Sequence, residues 1–259
     1  MTRKTLCLAI VGCGAMGGAL LARWGEALPD AQFLVLEPRD LPLPPAVEHF
    51  REAAPFCEAL AGADALILAV KPQVLPQVTK SLDLPKDLPV ASIAAGVPVQ
   101  RLQDLLPGHP VTRAMPNLPA ALGRGVTALA GAQTAAVEAA FAAVGAVEWM
   151  PEAQFDAFTA LAGSGPAYVF YLTEVLEKAG ARLGLEPALS ARLARRTVEG
   201  AAALMESRAN AAPGALREAV TSAGGTTAAA LEVLADGRVE AVFAQALAAA
   251  AARSRALNP

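Results

Sequence analysis

Histidine and cysteine are scarce in this chain. Only His49 and His109, and only Cys7, Cys13 and Cys57, occur among its 259 residues. So few ligands exclude a His-rich or Cys-rich metal site, and an odd, scattered set of cysteines excludes a disulfide framework. Charge is scarce too, at 17% of residues against 54% hydrophobic, where a disordered chain shows the reverse balance. Lys plus Arg number 21 and Asp plus Glu 24, for a net charge of −3. That near-balance supplies no polyanion-binding field, so nucleic acid is not an expected partner. Long uninterrupted apolar runs are also missing. The longest apolar stretch, Ala130 to Val147, contains Gln133, Glu138 and two glycines. Spanning a bilayer takes ~20 strongly apolar residues, so no membrane segment is expected. The chain enters a strand-like run at Leu6 with no apolar leader before it. The setting expected from these features is a reducing compartment, the cytoplasm.

What is present is an alternation. Leu6 to Val11 is a continuous apolar run, and Phe33 to Leu36 is a second, ended by Glu37 and Pro38. Further buried-strand candidates are Ala65 to Val70, Pro89 to Ile93, Val111 to Ala114, Val126 to Leu129 and Ala146 to Met150, most of them separated by helical stretches. Apolar strands alternating with helices predict a doubly wound parallel sheet covered on both faces. Pro38 to Pro45 reads as a loop. After Pro151 the strand pattern stops. Helices are predicted at Pro166 to Leu183, Pro187 to Ser207, Pro213 to about Thr221, Thr226 to Ala235 and Val239 to about Arg255, punctuated by proline at starts and glycine at ends. Their many small residues suit either close helix packing, in a bundle or between subunits, or simply reflect alanine-rich composition. No internal repeat of fixed period occurs. The expected division is a dinucleotide-binding α/β domain over 1–152 and an all-α domain over 153–259.

The first feature with chemistry is Gly12-Cys13-Gly14-Ala15-Met16-Gly17, a G-x-G-x-x-G turn between the first strand and a helix. The first glycine permits the turn, the second admits a pyrophosphate against the backbone, and the third allows helix and strand to pack closely. The helix N-terminus then offers free N–H groups to phosphate. Glu37 follows Gly17 by 20 residues, at the end of the second strand, where an acid accepts from a ribose 2′-OH and favours NADH. Arg39 is placed to pair with a 2′-phosphate and favour NADPH, or is a solvated loop charge. Three later strand ends carry Ala69-Val70-Lys71-Pro72, Ala94-Ala95-Gly96 and Arg113-Ala114-Met115-Pro116-Asn117. Ligands in such folds lie outside the carboxyl ends of the strands. Lys71 reads as a phosphate or carboxylate contact or a surface lysine. Asn117 reads as a contact to a ribose hydroxyl or carboxamide, or as a turn residue.

Two of these segments, Ala69 to Pro72 and Arg113 to Asn117, together with Leu161-Ala162-Gly163-Ser164-Gly165-Pro166-Ala167-Tyr168 and Val220-Thr221-Ser222-Ala223-Gly224-Gly225-Thr226-Thr227, occur in an order that resembles the pyrroline-5-carboxylate reductases. The similarity extends over essentially the whole chain, with Ala223 and Leu118 standing where the family usually has Pro and Thr. The resemblance implies an N-terminal Rossmann-type sheet, an all-α second domain, and reduction of the cyclic imine L-1-pyrroline-5-carboxylate to L-proline with NADPH or NADH. It implies that Gly12 to Gly17, Glu37, Arg39, Ala69 to Pro72, Ala94 to Gly96, Met115, Pro116 and Asn117 bind the cofactor. It further implies that Ser222, Gly224, Gly225, Thr226 and Thr227 hold the substrate carboxylate, and that Thr159 places a hydroxyl near the imine nitrogen. No metal is implied. The family assembles as homodimers and as rings of dimers.

An imine suits a chain so poor in histidine. The C=N nitrogen takes a proton before hydride arrives, so little is asked of a protein acid. His49 and His109 are therefore expected at the surface or in loops. Two other classes fit the glycine loop: a related dehydrogenase or imine reductase acting on another small carboxylate, and a non-catalytic nucleotide sensor. Hydroxy-acid dehydrogenases of this type usually carry a lysine where Ala153 to Leu176 has none, and the Ser222 to Thr227 loop favours an enzyme over a sensor.

Overall fold

The computed structural model describes residues 5–44 and 46–257. Pro45, the last residue of the proline-rich stretch, lies outside them. The chain forms two compact units, one of residues up to Ser164 with the turns from Ala250 onward, the other Gly165–Ala249. The first unit therefore runs beyond the limit at residue 152 expected for a dinucleotide domain.

In the first unit β1 (Cys7–Val11), α1 (Ala15–Ala27), β2 (Gln32–Leu36), β3 (Val47–Phe50), α2 (Ala53–Ala59), β4 (Ala65–Leu68), α3 (Leu75–Ser81), β5 (Val90–Ser92), α4 (Val99–Leu105), β6 (Val111–Pro116), β7 (Gly125–Gly131), α5 (Ala135–Ala142) and β8 (Gly145–Trp149) follow in order. One eight-stranded sheet results, with spatial order β3-β2-β1-β4-β5-β6-β7-β8. The two-sided burial is written into β1. Cys7, Ala9 and Val11 join a core with Phe56, Leu75 and Leu102 of α2, α3 and α4. Leu8 and Ile10 face the other way, into a core with Leu20, Leu21 and Trp24 of α1 and Val137 and Phe141 of α5. A strand buried on both faces reads as an unbroken apolar run, and each large side chain so buried contributes ~1.5–3 kcal/mol. The Trp24 indole N–H is satisfied at 2.7 Å by the carbonyl of Ala140.

Two details depart from the sequence expectation. The sheet is not wholly parallel: β6 and β7 pair antiparallel, with Ala114 opposite Leu129. The short 3-10 turn Leu118–Leu122 joins them, and a parallel return needs a crossover of a dozen residues or more. The second departure is β3, an edge strand over Val-Glu-His-Phe that pairs parallel with β2. His49 thus belongs to the sheet, and its Nε2 lies 2.7 Å from the Glu37 carbonyl.

The first unit continues through α6 (Phe155–Phe158) and a π-helical turn, Thr159–Gly163. The second unit holds α7 (Gly165–Arg182), α8 (Pro187–Ser207), α9 (Pro213–Ala219), α10 (Thr226–Asp236) and most of α11 (Val239–Leu257). Gly184, at φ +97°, turns α7 into α8, and Glu186 caps α8 by accepting from the amides of Ala188 and Leu189 at 3.0 and 2.9 Å. The two helices approach closely at Gly180, where a Cβ would collide with the Ser190 hydroxyl. That hydroxyl donates to the Glu177 carbonyl at 2.7 Å. Among the described residues, only Ser190 and Ala194 are buried in α7 to α11. None of the helices described is long and apolar enough to cross a membrane.

Candidate functional site

The glycine turn is divided by function. Gly12 sits at φ +93°, and a Cβ there would lie 2.8 Å from the Ala69 carbonyl oxygen and 2.9 Å from a Val70 methyl. A Cβ at Gly17 would collide with the Gly12 carbonyl oxygen and lie 3.0 Å from the Ala69 Cβ. These two glycines let α1 press onto the ends of β1 and β4. Gly14 differs: nothing lies within 4 Å of a Cβ built there. It is the N-cap of α1 and no side chain caps the helix. The first-turn amides thus retain unused donors beside open space, the arrangement a dinucleotide pyrophosphate fits.

Glu37 follows β2 and is buried, with 5% exposure. Its Oε2 accepts from the Cys13 amide at 2.9 Å and from Arg39 Nη2 at 3.0 Å. Its Oε1 accepts from Arg39 Nε at 2.8 Å and from the Arg39 amide at 3.2 Å. The Arg39 guanidinium is the main reason the carboxyl is held down at about 2. Burial, and next the Glu37 charge, push the Cys13 thiol up to about 11. The sequence left Glu37 free to accept from a ribose and Arg39 free to reach a phosphate or solvent. The structure joins them in a forked ion pair, because a buried carboxylate needs a counter-charge.

The other expected residues fall at the strand ends. Gly12, Glu37 and Val70 line one cavity of about 340 Å³, with Pro38 and Arg51. Ala95, Gly96, Met115 and Thr159 line a second, of about 290 Å³. Lys71 is exposed at the start of the 3-10 turn Pro72–Val74. Ala94 is buried and lines neither cavity, and its amide donates to Ser92 Oγ at 3.2 Å. Pro116 ends β6. Asn117 is a brace: its Nδ2 donates to the Ala162 carbonyl at 3.0 Å and its Oδ1 accepts from the Val126 amide at 2.9 Å. It thereby ties the π turn to the sheet. Thr159 opens that turn, whose extra residue shows in the Ser164 amide donating to the Thr159 carbonyl at 2.8 Å. Single π turns inside helices are frequent at functional sites.

Several cavity residues had no role assigned from the sequence. Arg113 is 8% exposed, lies 4.5 Å from the Phe155 ring centre and donates to Glu152 Oε1 at 2.8 Å. The same oxygen accepts from the Val99 amide at 2.9 Å. A charge inside the apolar run Val111 to Met115 was the available signal. Arg253 and Ser254 reach this cavity from the last turns of α11, where Ser254 Oγ donates to Asp156 Oδ1 at 2.6 Å. Nothing local in the sequence marks them. The cavity lining holds the hydroxyls of Thr159, Ser164 and Ser254 and two guanidinium groups, with no histidine, lysine or carboxylate among the described residues. Nor does any cluster of three His, Cys, Asp or Glu among the described residues offer a metal site.

In the second unit, Ser222 to Gly225 form the turn before α10. Gly224 has φ +69°, Gly225 is the N-cap, and no side chain caps the helix. Ser222, Gly224 and Thr226 are exposed, while Gly225 and Thr227 are half-buried. The Ser222, Thr226 and Thr227 hydroxyls, which the resemblance assigns to a substrate carboxylate, are not used as caps of this helix.

Two family models match the chain. Residues 7–96 match NADP oxidoreductase, coenzyme F420-dependent, and residues 152–257 match pyrroline-5-carboxylate reductase dimerisation. A pyrroline-5-carboxylate reductase of Synechocystis is 39% identical, over 97% of this chain and 98% of that one. The chain belongs to the pyrroline-5-carboxylate reductase family. A reductase from Pseudomonas aeruginosa is 38% identical over 96% of both chains. The solved structure of the Coxiella burnetii reductase superposes with a TM-score of 0.87 at 30% identity, covering 99% of this chain and 100% of that one. The Rossmann-type sheet followed by helices is therefore a family property, and the dehydrogenase and sensor alternatives are not favoured.

Proposed function

We propose that the chain reduces the C=N bond of L-1-pyrroline-5-carboxylate to give L-proline, the last step of proline biosynthesis, using NADPH or NADH. The observation that carries this reading is the cavity at Thr159. It offers hydroxyls and strand-end backbone but, among the described residues, no histidine, lysine or carboxylate, in a chain of the reductase family. A bound nicotinamide dinucleotide supplies hydride. The residues of the chain supply placement, which is where most of the barrier reduction in such a transfer lies. Gly12 to Gly17 hold the pyrophosphate on the first turn of α1. Glu37, Arg39 and Ala69 to Pro72 form the adenosine end, and Ala94, Ala95, Gly96, Met115, Pro116 and Asn117 the nicotinamide end. Asn117 serves there by positioning the π turn. The Thr159 hydroxyl hydrogen-bonds the imine nitrogen. The substrate brings its own proton on that nitrogen, so after hydride reaches the carbon the product amine needs none from the protein. Ser222, Gly224, Gly225, Thr226 and Thr227 hold the carboxylate with amides and hydroxyls, which the uncapped start of α10 supports.

The domain limit at 152/153 is supported by the family match that begins at residue 152. The partner is a second copy of the chain. Val233, Tyr171 and Phe170 are 70, 67 and 63% exposed on helices that bury almost nothing themselves, and Leu183, in the turn after α7, is 88% exposed. Exposed apolar surface on that scale marks an interface. Light scattering distinguishes the dimer from a ring of dimers. A cytoplasmic setting fits Cys7, Cys13 and Cys57, which form no disulfide. The test of the activity is loss of NAD(P)H absorbance on adding pyrroline-5-carboxylate. No turnover above background in protein that binds the dinucleotide refutes it.

A further inference from the structure

We propose that Arg51 selects a 2′-phosphorylated dinucleotide by giving up its ion pair with Asp40 and holding the 2′-phosphate itself, while Arg39 stays on Glu37 and neutralises that carboxylate. The proposal rests on the reading of the Gly12 and Glu37 cavity as the adenosine end of a dinucleotide site.

The fold brings Arg51 there through an edge strand. Phe50, the last residue of β3, pairs with Leu36, the last of β2, and the Glu37 amide donates to the Phe50 carbonyl at 3.0 Å. Arg51 and Glu37 therefore leave the sheet side by side and line the same cavity as Gly12 and Pro38.

The two arginines differ in how firmly they are held. Glu37 receives four donors, three of them from Arg39 and one from the Cys13 amide. An ionised carboxylate has about four lone-pair sites, so no acceptor is left for a ribose hydroxyl. Drawing the Arg39 guanidinium away would leave a buried carboxylate without a counter-charge, which is strongly unfavourable. Arg51 pairs with Asp40, and both are solvated, with 56% and 79% of their side chains exposed. An exposed pair of this kind holds weakly. A phosphate, with more charge and oxygens spaced for a guanidinium fork, displaces Asp40. Glu37, which on sequence spacing favours NADH, is thus masked by its neighbour, and the free choice of cofactor passes to a cation just beyond the end of β3.

The test separates the phosphate from the rest of the cofactor. Binding of 2′,5′-ADP and of 5′-AMP is measured by calorimetry for the wild type, Arg51→Ala, Arg51→Lys and Arg39→Ala. The expected wild-type preference for 2′,5′-ADP falls about tenfold or more in Arg51→Ala, the loss of a charge-assisted contact. Affinity for 5′-AMP falls far less. Arg51→Lys keeps part of the preference, since it retains the charge without the fork. Arg39→Ala also loses preference, but with tighter 5′-AMP binding as Glu37 is unmasked. An unchanged preference in Arg51→Ala overturns the proposal. So does its loss in Arg39→Ala without a gain for 5′-AMP, which returns the phosphate to Arg39. If neither nucleotide binds the wild type, the dinucleotide reading itself falls, and the proposal with it.

Discussion

Replacing Gly14 by valine, beside a Gly17→Ala control, separates a phosphate cradle from a packing turn. Gly14 has φ −67° and ψ −168°, an extended conformation any L-residue adopts. With nothing within 4 Å of the new Cβ, the fold loses little. A weaker helix cap is roughly offset by the lower entropy of an unfolded chain with one glycine fewer, each about 0.5–1 kcal/mol. The methyls instead occupy the space through which a pyrophosphate meets the first-turn amides. Losing two charge-assisted hydrogen bonds at ~1.5–3 kcal/mol each gives about 3–6 kcal/mol, or roughly 10²- to 10⁴-fold in Kd. Gly17→Ala acts the other way, because its Cβ meets the Gly12 carbonyl oxygen. Overpacking against backbone costs ~1–3 kcal/mol or more, which lowers Tm by several degrees at ~2–4 °C per kcal/mol. Dinucleotide titration and thermal melting are run on both variants. The reasoning fails if Gly14→Val binds like wild type, or if it melts as early as Gly17→Ala.

Three further outcomes are expected. Thr159→Val keeps the cavity wall and removes the hydroxyl, so kcat falls about 10- to 100-fold while dinucleotide Kd changes little; equal loss in both makes Thr159 a packing residue. Thr227→Ala raises substrate KM about tenfold and cofactor KM much less, through loss of one donor to a carboxylate; parallel change points to a damaged α10 start. The depressed Glu37 carboxyl, at about 2 against an ordinary 4.5, stabilises the fold fully above pH 4.5 and loses that contribution as pH falls towards 2. Melting of the wild type and Glu37→Gln should therefore converge across that window, and parallel curves would contradict the ion-pair argument.

The central sheet was legible because strands buried on both faces leave continuous apolar runs, as in β1 and β4. β3 was not, because an edge strand one residue deep in its sheet tolerates Glu48 and His49, and four residues carry too little periodicity to stand out. Arg51 was lost with it. The glycine spacing pointed to a dinucleotide turn but not to the pairing of Arg39 with Glu37. That depends on a backbone turn at Pro38 that folds the Arg39 guanidinium back. The π turn at Thr159 follows from tertiary bonds such as Asn117 Nδ2 to Ala162, which no local propensity encodes. Arg253 and Ser254 reach the cavity from the far end of the chain, a contact that only folding creates.

The scarcity of histidine acquires its chemical sense from where the two histidines lie. His49 Nε2 is engaged with the Glu37 carbonyl at 2.7 Å, and His109 Nδ1 faces the Leu88 carbonyl at 3.2 Å. Neither lines the Thr159 cavity, and neither do the described carboxylates or lysines. A ketone reduced there would generate an alkoxide with no positioned acid to protonate it, forfeiting the ~10²- to 10⁴-fold that general acid catalysis provides. A protonated imine becomes a neutral amine on accepting hydride and forfeits nothing. On the proposed function, the same cavity is expected to discriminate between two classes of substrate of nearly equal shape. A cyclic ketone carboxylate of matching size should bind as a competitive inhibitor and be reduced slowly if at all. Reduction of that ketone at a rate near that of the imine would show that a proton donor reaches the site, and would refute the assignment of the proton to the substrate.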